Sequence, residues 1–244
     1  LLMDYFNGIQ AKLREVETEQ QEAMLRAADE VARSIKADGL IFLFGSGHSH
    51  ILAEEMFYRA GGLAPVRPIL PENLMLHKGA SSSSQLERQN GYASTFMEKE
   101  QIGPNDVVIV ISTSGINPVP IDVALIAKEK GAFVIGLTSR SYSEQTPSKH
   151  ESGYRLYEVV DLVLDNRIDK GDAMIKHEEL PVKFGPGSTV IGACMLNGIF
   201  VQAIYQMVEQ GMKPPVFLSG NAEGTDMHNT QLVAKYRERI PLLS

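Results

Sequence analysis

Apolar positions along the chain fall into two patterns, one with the period of a helix and one with the continuity of a buried strand. Residues 3–37 follow the first: Phe6, Ile9, Leu13, Val16, Met24, Ala28, Val31 and Ile35 recur at steps of three and four, and only Gln20 interrupts the stripe. This spacing predicts one long helix closed by Asp38-Gly39. A stripe of that length packs either on a partner subunit as well as its own core or across its own domain. Four short runs follow the second pattern: Leu40–Phe44, Val107–Ile111, Ala132–Leu137 and, with Asp161 inside it, Val159–Leu164. Runs of this kind suit strands buried on both faces. Residues 65–70, P-V-R-P-I-L, add a strand that its prolines confine to an edge.

Helical stretches separate these runs. One follows Ser49, its expected cap, and stops at Gly61-Gly62; another spans roughly Tyr92–Gln101. A third runs from Asn117, as N-cap with Pro118 at the first helical position, to Lys130, with Gly131 just past its end. An apolar helix covers 188–210 and is stopped by Pro214-Pro215, and a last helix runs to Ile240 with Asp226 as its expected cap. Pro215–Leu218 is a further candidate strand, whereas 141–157 reads as loop with at most a short helix and 166–187 as the least regular tract, rich in charge, Pro and Gly. Strands alternating with helices define βαβ units and a parallel sheet covered on both faces. With 66–70 outside 40–44 and 107–111 on the other side, the expected fold is α/β, a doubly wound five-stranded parallel sheet of flavodoxin-like order 2-1-3-4-5. Its switch point lies between strands 40–44 and 107–111. A single domain over 1–244 is expected, with a core of about 35–220 and helical extensions at 3–37 and 226–240.

Bulk properties narrow the function. The net charge of −7 argues against nucleic acid or an anionic membrane as partner, and no run approaches ~18 uninterrupted apolar residues, so no membrane span is expected. The single cysteine, Cys194, cannot form an intramolecular disulfide and reads as core. The first residues lack the basic region and apolar core of a signal peptide, and a cytoplasmic protein is expected.

The chemistry concentrates where two buried strands end. Val107–Ile111 is released into Ser112-Thr113-Ser114-Gly115, followed by Asn117-Pro118; Leu40–Phe44 is released into Gly45-Ser46-Gly47-His48-Ser49-His50. A strand that ends in small donors and opens a helix is suited to an anion, because unpaired N–H groups and the helix dipole point the same way. The second turn begins like a dinucleotide fingerprint but has His50 at the third glycine, and no acidic residue ends the next strand. The G-K-[ST] of a P-loop is also missing. No cofactor is expected, and His48 and His50 without a nearby carboxylate motif do not make a metal site. Facing each other across a switch point, the two turns point to one phosphate.

The runs L-I-F-L-F-G-S-G-H-S, V-V-I-V-I-S-T-S-G and G-A-F-V-I-G-L-T-S resemble the sugar isomerase (SIS) domain family over roughly residues 35–210. The family's usual threonine two places after the S-x-S-G glycine is Asn117 here. L-E-R-Q-N-G-Y-A and P-P-V-F-L-S-G-N-A-E-G-T-D-M-H-N are similar to its uncharacterised phosphosugar-binding branch. The resemblance implies a sugar phosphate as ligand and a homodimer or higher homo-oligomer with sites near the subunit interface. It implies that Ser46, Ser49, Ser112 and Ser114 hold the phosphate, with Gly45, Gly47, His48, Thr113 and Asn117 completing the substrate-binding set. An isomerase- or lyase-type enzyme is the leading expectation; a sensor that binds a phosphosugar without turnover is the alternative. The acid–base candidates are Glu87, after the serine loop, and His228, near Glu223 and Asp226. Ser81–Ser84 reads either as a flap over the phosphate or as a flexible loop. Related phosphoheptose isomerases carry a functional histidine on the long helix near the C-terminal end; helix 188–210 has none, which points away from heptose isomerisation.

Overall fold

A computed structural model describes residues 2–221 and 226–244. Its centre is a parallel sheet in the order β2-β1-β3-β4-β5, formed by β1 (Ile41–Gly45), β2 (Val66–Ile69), β3 (Val107–Ile111), β4 (Phe133–Thr138) and β5 (Leu162–Asp165). The apolar runs are continuous because successive side chains enter different cores. Ile41, Leu43, Ile109, Ile111, Ile135 and Leu137 face one core; Phe42, Phe44, Val108, Val110 and Val134 face the other. The first core is covered by α1 (Leu2–Glu19), α2 (Gln21–Lys36), α3 (His50–Met56) and α9 (Ser188–Glu209). The second is covered by α5 (Ser94–Met97), α6 (Pro118–Glu129), α8 (Leu156–Val159) and α10 (Asp226–Tyr236). By length and composition α9 could cross a bilayer, but Ile191, Met195, Leu196, Ile199, Phe200, Ala203 and Met207 are buried in the first core, whereas Cys194, expected there, is exposed. Those contacts make it a core helix.

Carboxylates fasten the sheet where main-chain bonds run out. Asp106 Oδ1 accepts the Leu40 N–H at 2.7 Å and Oδ2 accepts that of Gly103 at 2.8 Å, joining the entries of β1 and β3. Asp161 Oδ2 accepts the Val134 N–H at 2.8 Å. Arg167 ties α1 to the end of β5, reaching Glu15 at 3.0 Å, Glu19 at 3.0 Å and Asp165 at 3.2 Å. Partial burial would raise the Glu15 pKa, but its hydrogen bonds with Arg167 and Lys12 outweigh that and hold it below the ordinary value. The stabilisation this carries is present above the unfolded-state pKa and is lost as pH falls through the folded one; solvent screening keeps it small.

Several local expectations are corrected. The predicted helix 3–37 is two helices parted at Gln20, whose side-chain oxygen instead accepts the Asp165 N–H at 3.0 Å on the edge strand. Ser49 does not cap: the chain already turns at Gly47–Ser49, so Ser49 is helical, and Ser46 is the extended residue before the turn. That helix ends at Met56 rather than near Gly61, where Phe57 turns extended and Tyr58 packs edge-on against Phe217, ring centroids 5.0 Å apart. Ser81–Ser84 is neither flap nor loop but part of α4 (Ala80–Leu86); Ser83 is buried and donates to the Leu74 carbonyl at 2.7 Å. Val159 closes α8, at whose start the Glu158 carboxylate accepts the Arg155 N–H at 2.7 Å, so β5 starts only at Leu162. Residues 215–218 add no strand to the sheet; Val216 makes one antiparallel bridge to Leu63. The stretch 166–187 contains an antiparallel hairpin, β6 (Ile175–His177) with β7 (Leu180–Phe184). Asp226 is the first residue of α10, and Glu223 lies outside the described residues.

Candidate functional site

In a parallel sheet every strand delivers its following turn to the same end, and β1 and β3 are neighbours with Gly45 paired to Ile111. The Gly45–Ser49 and Ser112–Gly115 turns therefore lie side by side, as the sequence implied. Gly45 has no room for a side chain: a Cβ there would sit 2.5 Å from the backbone carbonyl carbon and oxygen of Ser49 and 2.8 Å from the His50 nitrogen. Gly47 is glycine for a different reason, a φ of +56° with open space around it.

The second turn is held from behind. Gly115 takes a φ of +61°, and its N–H donates to Ser112 Oγ at 3.3 Å. The Thr113 carbonyl accepts the Ser139 N–H at 2.9 Å, and the Ser114 carbonyl accepts Ser143 Oγ at 2.6 Å. Thr113 Oγ1 accepts from the Asn166 amide at 3.2 Å. With the carbonyls engaged at the back, the Thr113 and Ser114 N–H groups have no protein acceptor among the described residues. Nor does the Ser114 hydroxyl find a partner among them. Unengaged N–H groups and a hydroxyl ahead of a helix start are of the kind that suits an anion. Asn117 is extended before Pro118, as a cap residue should be, but its side chain makes no capping bond, which corrects that expectation. The Val119 N–H it would have served donates instead to the Glu87 carbonyl at 3.2 Å, and the buried Asn117 Oδ1 has no hydrogen-bond partner.

That substitution brings Glu87 to the site. Its backbone docks on the first turn of α6, and its carboxylate accepts Ser46 Oγ at 2.6 Å. One acidic group thus stands beside the first turn, with its backbone on the helix that follows the second. The histidines separate: His48 is exposed, whereas His50 is buried with Nδ1 on the Gly47 carbonyl. No cluster of three metal-ligating side chains occurs among the described residues.

His228 does not join the site within one protomer. Its Nε2 lies 2.8 Å from the Val216 carbonyl, in the segment bridged to Leu63 ahead of β2, at the entry end of the sheet. Sequence reasoning also missed the supports Ser143 and Asn166, which lie beyond the two turns in the chain and carry no local motif. A groove of about 370 Å³ between α1, α2 and α9 lies away from the strand ends; Leu13, Val16, Met24, Met195 and Ile199 help to line it, and it carries none of the site's groups.

The SIS domain model matches residues 4–139, a span that holds both turns and Glu87. A UPF0309 protein of Halalkalibacterium halodurans is 54% identical over 244 residues, covering 100% of this chain and 98% of the relative. Another, from Listeria innocua, is 59% identical over 217 residues, covering 89% of this chain and 88% of its own. Among solved structures, a phosphoheptose isomerase from Neisseria gonorrhoeae aligns with a TM-score of 0.56 at 17% identity, over 84% of this chain and 97% of that one. At that identity the likeness is one of fold. The chain belongs to the SIS domain family, among its UPF0309 proteins.

Proposed function

We propose that this protein binds a phosphorylated sugar, with the phosphate on the Ser112–Gly115 turn, on Ser49 and on the Ser46 backbone N–H, and acts on it as an isomerase- or lyase-type enzyme. The carrying observation is the 2.6 Å hydrogen bond from Ser46 to Glu87, which sets a carboxylate on the Gly45–Ser49 turn. Aldose–ketose isomerisation and elimination both need a base to take a proton from carbon, and Glu87 is the group in reach of a sugar held by its phosphate. Gly45, Gly47, His48, Thr113 and Asn117 shape the remaining wall.

Incubating the protein with a panel of aldose and ketose 6-phosphates and following the products by NMR tests turnover. Glu87→Gln is expected to lower the rate about 10²–10⁴-fold, the usual size of a lost general base, with binding retained. Full activity in that variant would exclude Glu87 as the base.

One observation favours the second reading, a sensor without turnover. His228 is bonded to Val216 at the far end of the sheet, so within one protomer Glu87 lacks the acid–base partner the sequence suggested. Binding of a 6-phosphate with no product formed is the result that reading expects.

We also propose a homo-oligomer. Val201, Tyr205 and Val208 on α9 are 67%, 59% and 52% exposed, and Leu2, Met3 and Phe6 of α1 are exposed too, more apolar surface than isolated positions explain. Light scattering on the eluting protein is expected to give the mass of two or more chains; a single-chain mass contradicts it.

A further inference from the structure

The stretch that carries Glu87 is bolted down at points the phosphosugar reading does not use. Four residues beyond Glu87, Gly91 takes a φ of +74° and donates its N–H to Asp122 Oδ2 at 2.9 Å. Asp122 stands one turn along α6 from Val119, which holds the Glu87 carbonyl. The other Asp122 oxygen accepts from His150 Nε2 at 2.9 Å. Because the Ser152 N–H points at His150 Nδ1 at 3.1 Å, Nδ1 is the acceptor and Nε2 carries the proton given to Asp122. Both partners are well covered, with side chains 5% and 16% exposed for His150 and Asp122.

The loop that presents His150 also touches both halves of the site. Its Lys149 N–H donates to the Ile116 carbonyl at 2.9 Å and the Leu156 N–H to that of Gly115 at 2.8 Å. Its Glu151 N–H donates to Asn90 Oδ1 at 2.9 Å. The loop therefore spans from the serine turn to the Glu87 turn, with Asp122 as the shared post.

We propose that Asp122, His150 and Asn90 are positioning residues that fix the Glu87 carboxylate relative to the Ser112–Gly115 turn. The proposal rests on the phosphosugar reading for its functional meaning, but the geometry it asserts does not need a ligand. With two oxygens for two N–H donors, Asp122 sets the path of residues 87–91 from a rigid helix. Glu87 is then held at both ends, by Val119 on its own carbonyl and by Asp122 through Gly91. Its side chain is left free to meet Ser46. Supports of this kind govern the last ångström of a reacting group's placement.

The test reads Glu87 directly. In protein labelled with ¹³C at the glutamate carboxyls, the Glu87 resonance is assigned by its disappearance in Glu87→Gln, and Ser46→Ala gives its position without the hydroxyl. Asp122→Ala is expected to move the resonance toward the Ser46→Ala position. Asn90→Ala, an exposed change that tests the same brace should Asp122→Ala not fold, is expected to move it in the same direction. A resonance that stays at the wild-type position in either folded variant overturns the proposal, as does a Ser46→Ala variant with no shift. Failure of the phosphosugar reading looks different: no 6-phosphate binds the wild-type protein, while the carboxyl resonances behave as described.

Discussion

Gly45→Ala is expected to be among the most damaging single-methyl additions in the protein. The new Cβ would meet the Ser49 carbonyl carbon and oxygen at 2.5 Å and the His50 nitrogen at 2.8 Å, all backbone atoms. Nothing there can rotate aside. The opposing turn is fixed by the Ser49 N–H on the Ser46 carbonyl at 3.1 Å and by the buried His50 ring on the Gly47 carbonyl. Gly45 itself lies in β1, between two other strands. Overpacking of this kind costs about 3 kcal/mol when a rigid partner must move. For a chain of this size, that lowers the melting temperature by about 6–12 °C. Gly47→Ala is the internal control, since its Cβ enters open space and bears only the left-handed backbone strain, about 1–2 kcal/mol. Thermal melts of both variants should separate them clearly. Equal losses would mean that the strand and turn are not packed as described. Gly45→Ala is further expected to draw Ser46 away from Glu87, linking a fold defect to the site.

Much of this architecture was legible because the signal was local. Unbroken runs such as Val107–Ile111 mark strands covered on both faces, and Asn117-Pro118 and Gly131 bracket α6 at the bounds found. The two turns were placed together by topology alone, since parallel strands send their exits to one end. What failed was set by distant partners. Gln20 breaks a helix to serve β5, and Ser83 folds into α4 to reach Leu74; neither partner is visible in the surrounding sequence. The α9 cap comes from Asp172, whose carboxylate takes the N–H groups of Gly187 and Ser188 at 3.0 Å from fifteen and sixteen residues away. The β6–β7 hairpin escaped notice because Pro181 breaks its pattern and its turn, Glu178-Glu179, has no glycine or asparagine. Within the site, Glu87 was singled out by its place after a serine loop, but its bond to Ser46 joins residues 41 positions apart. His228, singled out by its place in a glycine-rich tail, has its Nε2 on the Val216 carbonyl.

The second large effect concerns the ligand. Ser112→Ala combined with Ser114→Ala removes two hydroxyls from the Ser112–Gly115 turn, and the first also withdraws the acceptor that shapes Gly115. Hydrogen bonds to a charged phosphate are worth about 1.5–3 kcal/mol each, so the pair accounts for about a hundredfold or more in affinity. Fold stability should fall by about 1–3 kcal/mol, because the buried Gly115 N–H loses its Ser112 acceptor; the Ser114 hydroxyl has no partner among the described residues, and the turn keeps its bonds to Ser139 and Ser143. The most direct measurement is thermal unfolding of the wild-type and doubly substituted proteins with and without a panel of aldose and ketose 6-phosphates. At least one of these is expected to raise the melting temperature of the wild-type protein and to leave that of the variant unmoved at the same concentration. A wild-type protein that none of them protects, or a variant protected as well as wild type, would contradict a phosphate site at Ser112–Gly115.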